Sequence, residues 1–185
     1  MTLRMLGMTL ITAAGAFSRN PDMQPVVIAR ITKADPSEFW MLAHAKSVAT
    51  GLLDKAGVRV DWDRRGASED TITIQMDDDA PRELHRWAMA YAHPFGKGPG
   101  PRIHVFRDRL QNPPWLTSGT VLGYVLAHEI GHVLEGFDHH SGSGVMKAHW
   151  GLDEYRAMQL NLLQFEELDV QWIQMGARGS SGAAR

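Results

Sequence analysis

Residues 118–136, "SGTVLGYVLAHEIGHVLEG", constrain the fold more than any other stretch of the chain. Val121, Leu122, Val125 and Leu126 form an apolar stripe at helical spacing, and Thr117 or Ser118 can cap its start. Gly136 stands where a C-terminal glycine closes a helix. The pattern predicts a helix from Ser118 to Glu135 with one side committed to a core. His128 and His132 are one turn apart on this helix, so both imidazoles project from one face.

The rest of the chain supplies the layers that would cover such a helix. Residues 25–32, "PVVIARIT", are rich in β-branched side chains and read as a strand. Asp35-Pro36 then offers a cap and a first-turn proline, followed by Phe39, Leu42, Ala43, Ala49, Leu52, Leu53 and Ala56 at helical spacing until Gly57. "VRVDW" and "TITIQM" alternate as strands across a polar turn, "DRRGASED". Residues 81–92 are expected as a short helix with Leu84, Trp87, Ala88 and Tyr91 on one side, and "HPFGKGPGP" as a surface loop, because its prolines and glycines deny it regular structure. "RIHVF" reads as a further strand. Two helical stretches, 153–163 and 165–175, follow the turn region, and the tail 176–185 is expected to be disordered.

This order of elements predicts an α/β fold of the α+β kind: a mixed sheet packed on helices, the long helix below it, and a small helical C-terminal subdomain. A length of 185 residues with 44% hydrophobic content suits one domain, expected over residues 17–175. The net charge of −2 gives no basic field for nucleic acid or an anionic membrane, and neither is expected as a partner. With no cysteine, disulfides, thiol catalysis and cysteine-held metals are excluded together. At the N-terminus, Arg4 precedes an apolar run from Met5 to Phe17, with Ala14-Gly15-Ala16 as small residues suited to cleavage. Residues 1–16 are therefore expected to be a signal peptide, and the protein secreted or periplasmic.

His128, Glu129 and His132 form an H-E-x-x-H arrangement. Two histidines at this spacing can hold one ion, and a glutamate beside them can reach the water that the ion activates, as in zinc peptidases. Such a site needs a third protein ligand and an open position. In the strict metzincin pattern, the glycine and third histidine would fall at Glu135 and Asp138, so the strict spacing fails. Asp138, His139 and His140 are all candidates, and Glu154 on the following helix is a fourth.

Residues 126–150, "LAHEIGHVLEGFDHHSGSGVMKAHW", resemble a group of small exported bacterial zinc-dependent proteins, metzincin-like, whose helix reads H-E-I-G-H-x-L-L-G and whose turn reads H-S-x-x-G-I-M. The turn half falls on His140, Ser141, Gly144, Val145 and Met146. The resemblance implies a zincin fold, Zn2+ held by His128, His132 and His140, Glu129 as general base and acid, and Met146 as the Met-turn residue. Glu135 and His139 depart from the group, and Val145 replaces its isoleucine.

The function expected is that of a zinc-dependent endopeptidase acting on peptide or protein substrates, with the chain to be cut lying extended along "RIHVF" if that strand is at the sheet edge. The alternatives are a metal-containing binding protein of the same fold without activity, or an amidase on a non-peptide substrate. His44, His85, His93 and His104 are read as ordinary surface, loop or strand residues, and the tryptophans as core. His149 follows Met146 closely enough to approach the cleft, but no tyrosine stands there to assist an oxyanion.

Overall fold

The computed structural model describes residues 24–62, 69–93, 100–110 and 112–182. Its elements run β1 (Val26–Thr32), α1 (Phe39–Lys55), β2 (Arg59–Trp62), β3 (Ile72–Asp77), β4 (Ala90–His93), β5 (Arg102–Phe106), α2 (Ser118–Glu135), α3 (Leu152–Gln159) and α4 (Glu167–Gly182). The strands form one sheet in the order β2-β1-β3-β5-β4, parallel throughout except for β4, which runs antiparallel to β5 at the edge. The expected mixed sheet on helices is the observed architecture.

Alternation along the strands decides which face is covered. Ile72, Ile74 and Met76 of β3 are buried together with Ala29 of β1 and with Ile103 and Val105 of β5. Thr73, Gln75 and Asp77 point to the opposite face and stay partly accessible. Under the apolar face lie α1 and α2, joined through Ala45, Ala49, Leu53, Leu122, Leu126 and Ile130. Each of these leucine and isoleucine side chains contributes about 1.5–3 kcal/mol by leaving water. The two helices approach closely because residue 123 is glycine: a Cβ there would meet Val48 Cβ at 2.5 Å and Ala45 O at 2.9 Å.

α2 has the limits its sequence predicts. Thr117 Oγ1 accepts from Thr120 N at 3.2 Å, and Gly136 takes φ 77°, with its N–H donating to His132 O at 3.0 Å. The helix is sunk in the molecule, with both histidines and Glu129 buried along with its apolar stripe.

Several expectations are corrected. Residues 81–92 contain no helix; 81–89 turn irregularly and 90–93 form β4. The main chain there is tied to its neighbours instead of to itself: Arg109 donates to the carbonyls of Pro81, His85 and Ala88, and Phe106 N donates to Met89 O. As a result β5 ("RIHVF") is an inner strand, paired on both sides, so the condition for a substrate along it is not met, and β4 forms the sheet edge. Toward the C-terminus, the helical stretches run over Leu152–Gln159 and Glu167–Gly182, so residues 176–182 are helical, not a disordered tail. Gly176 and Ala177 give α4 a flat side against α2, where a Cβ at 176 would fall 1.6 Å from Leu134 O. Packing of that face holds the helix past the point where composition predicts disorder.

The expected leader at 1–16 lies outside the described residues, as do 17–23 of the expected domain, 63–68 of the polar turn, 94–99 of the proline-glycine loop and 183–185 of the tail. Among the described residues, no helix is long and apolar enough to cross a membrane.

Candidate metal centre

One nitrogen each from His128, His132 and His140 comes within 4.8 Å of the other two. Two of these rings come from α2 and are nearly perpendicular, at 82°, with Nε2 atoms 3.0 Å apart. The third comes from the turn after α2, its ring centroid 4.8 Å from that of His132 and 5.4 Å from that of His128. Among the described residues, this is the only group of three metal-ligating side chains so close together.

The two α2 nitrogens are spaced to share a divalent ion. Ligands about 2.0–2.1 Å from a tetrahedral zinc stand roughly 3.3 Å apart, close to the spacing of the two α2 rings. The proton on His128 is also placed. Its Nδ1 is 2.8 Å from the Val145 carbonyl, which can only accept, so Nδ1 carries the hydrogen and Nε2 keeps its lone pair for the centre. His132 Nδ1 is buried without a well-formed hydrogen bond, with only the Phe137 backbone nearby to favour its protonation. Three imidazoles are a donor set that suits zinc and would leave a fourth position free for water or substrate.

Burial sets the charge states. It pushes His128 down to about 3 and His132 down to about 4, with the neighbouring imidazoles adding to the effect, so both are neutral at neutral pH. Glu129, 6% exposed beside them, is pushed up to about 8 by burial and then by the charge of Asp138. Glu135, at the position where the strict pattern has glycine, has both carboxyl oxygens buried without a partner, and is raised to about 8 by burial and then by Asp169.

The turn is shaped to bring His140 and Met146 under the helix. Met146 is fully buried, and a Cβ at Gly131 would stand 2.8 Å from its sulfur, so the glycine in "HEIGH" leaves room for the methionine directly against α2. Gly144 has φ 75° and sits so close to Gln164 O that a Cβ would meet it at 2.6 Å. Only glycine meets both conditions.

Of the other candidate ligands, His139 and Glu154 are engaged elsewhere, and Asp138 lies at the cleft, exposed. His139 Nε2 is 3.4 Å from Ser141 Oγ, and its ring stands edge-on to Trp172 at 4.6 Å. Asp138 is 93% exposed, 3.9 Å from His140 Nδ1. Glu154 takes Lys147 Nζ at 2.5 Å and the Gly151 N–H at 2.7 Å, and so closes the start of α3.

The centre opens into a cleft of about 570 Å³, bordered by Met89–Ala92 of the sheet edge and by Trp87, Phe137 and Trp150. His85 and His149 also line it, the former stacked on Trp87 at 4.8 Å. Trp150 stands edge-on to His128 at 5.6 Å and is buried, as expected of a core tryptophan, whereas Trp40, Trp87 and Trp115 are exposed. The sequence reading missed Trp87 and Tyr91 as cleft residues because it placed them on a helix. It also missed Asp169, a fully buried carboxylate beside the turn. The signal for Asp169 was present in its position three residues after Glu166, where a helix-opening acid reaches back to cap.

No protein-family model matches the chain, and no curated protein matches it. Among solved structures it is similar to archaemetzincin from Methanopyrus kandleri, with a TM-score of 0.54 and 14% identity over 88% of this chain and 99% of that one. At this identity the likeness shows the fold alone.

Proposed function

We propose that this chain is a zinc-dependent endopeptidase, with His128, His132 and His140 as metal ligands, Met146 as the methionine beneath them and Glu129 as general base and acid. The observation that carries this reading is the convergence of three imidazole nitrogens beside a buried glutamate at the bottom of an open cleft. Zinc bound there would polarise the scissile carbonyl and lower the pKa of a water to about 7. Glu129 takes the proton of the attacking water and passes it to the departing amine. In the bare site burial disfavours its charged form; beside a divalent cation the carboxylate is favoured and the base is ready at neutral pH.

The sheet edge supports a peptide as the substrate. The bond from Phe106 N to Met89 O sets the antiparallel alternation, which turns the N–H and C=O groups of Ala90 and Ala92 away from β5. An extended chain can add to that edge as a further strand, with its side chains against Trp87, Tyr91 and Phe137. The leader-like run from Met5 to Phe17 and the register of "HSGSGVM" support export to the periplasm or exterior, in company with small exported metzincin-like proteins.

Hydrolysis of an unfolded protein by the zinc-loaded chain tests the reading. Turnover should be abolished by a chelator, and Glu129→Gln should lower it by about 10²–10⁴-fold with zinc still bound. Full activity in Glu129→Gln would contradict the assigned role. Cleavage that persists in the chelator would contradict the metal mechanism.

A further inference from the structure

His140 is 37% exposed and comes from a turn, so something other than burial must hold its ring toward the two α2 histidines. The turn is stitched to the chain entering α4 at three places. Val145 N donates to Gln164 O at 2.9 Å, and Ser143 Oγ donates to Glu166 Oε1. Next to His140, Ser141 Oγ donates to Asp169 Oδ1 at 2.5 Å. The other oxygen of Asp169 accepts the Glu166 N–H at 3.1 Å and so caps the start of α4.

Asp169 is therefore divided between two tasks, and it is fully buried while performing them. A carboxylate out of water must be supplied with donors, and here these are a hydroxyl and a backbone N–H, with the ring of His139 4.0 Å away. Ser141 is fixed at its main chain as well: its N–H donates to Met146 O at 3.0 Å, closing the turn that holds the methionine. With Ser141 pinned at both points, the neighbouring Cα of residue 140 has little freedom.

We propose that Asp169 is a positioning residue for the metal centre: through Ser141, with His139 alongside, it anchors the ligand turn to α4 and keeps His140 aimed at His128 and His132. The tandem histidines then divide the work, His140 facing the centre and His139 facing the anchor. This rests on the reading of His140 as a ligand. The groups that orient metal ligands typically change metal affinity by 10–100-fold when lost, so an effect of about that size is expected here.

The experiment measures zinc affinity of the full chain by competition with a chromogenic chelator, for Asp169→Asn, Ser141→Ala, His140→Ala and the double variant His140→Ala/Asp169→Asn, with circular dichroism to confirm folding. Asp169→Asn should weaken binding by about 10–100-fold, Ser141→Ala by about tenfold, and the aspartate change should cost nearly nothing further once His140 is gone. If Asp169→Asn fails to fold, the milder Ser141→Ala decides by the same comparison. Weakening by His140→Ala with wild-type affinity in Ser141→Ala and Asp169→Asn overturns the anchor alone. No weakening by His140→Ala overturns the ligand assignment and the anchor with it. A loss at Asp169 that adds in full to the loss at His140 also overturns it, because such an effect does not pass through that ring.

Discussion

The two halves of the proposed metal centre are held by different physics. His128, Glu129 and His132 sit on α2, each at most 9% exposed, inside a layer of aliphatic side chains that fixes the helix along its length. His140 projects from a turn, is partly open to solvent, and depends on hydrogen bonds to the chain before and within the first turn of α4. The helical half is specified locally: once the helix forms and packs, the spacing of His128 and His132 aims both rings together. The turn half is specified at a distance, by residues 164–169. A ligand set built this way keeps two donors preorganised and leaves the third sensitive to the packing of α4.

The largest effects should follow from breaking the helical half. His128→Ala or His132→Ala removes a buried donor that no neighbour can replace, and zinc affinity should fall by more than the roughly 10–100-fold expected from loss of an orienting group. Equal affinity in these variants and in wild type, measured by chelator competition, would remove the centre from α2. Next comes the packing that joins the halves. Gly176→Ala places a methyl group on Leu134 O, and forcing α4 off α2 should cost about 1–3 kcal/mol in chemical denaturation. It should also weaken zinc binding, because α4 carries the anchor; unchanged zinc affinity in a destabilised Gly176→Ala protein would show the two regions to be independent.

A smaller effect separates the halves by pH. In the metal-free protein, His128 and His132 lie below their usual value, so the unfolded chain binds more protons than the folded one between about 3 and 6.5, and stability falls as pH drops through that range. Glu129 and Glu135 are raised to about 8, so the folded state holds more protons between about 4.5 and 8, and stability falls as pH rises through that window. Thermal unfolding in the presence of a chelator should therefore show a maximum between about pH 4.5 and 6.5, with a decline toward pH 8 that Glu135→Gln makes shallower. An unchanged slope in Glu135→Gln would mean that this carboxyl is not held protonated beside Asp169.

The contrast also explains how far the sequence could be read. The sheet, α1 and α2 were legible because their side chains alternate or recur with the period of their own element: Ile72, Ile74 and Met76 in β3, and Val121, Leu122, Val125 and Leu126 in α2. The pairing of His128 and His132 on one face of α2 was legible for the same reason. β4 was not, because "AYAH" carries no alternation strong enough to oppose the helical spacing of Leu84, Trp87 and Tyr91; its strand form comes from pairing with β5 and from Arg109 holding the preceding carbonyls. Nor was the far end of α4, whose glycine and alanine look like a flexible tail until Leu134 is seen against them. Spacing alone left Asp138, His139, His140 and Glu154 open as the third ligand. Their contacts differ in ways no spacing could show: His139 is turned to Ser141 and Trp172, Glu154 is held by Lys147, and Asp138 and His140 stand beside the α2 rings.

Whether one ion is shared between a helix and a turn is tested most directly by zinc stoichiometry and affinity for wild type, His139→Ala and His140→Ala in parallel. Wild type should bind one equivalent, His139→Ala should keep it, and His140→Ala should lose it or hold it far more weakly. Zinc retained at wild-type affinity in His140→Ala, or lost in His139→Ala with His140 intact, would contradict the account.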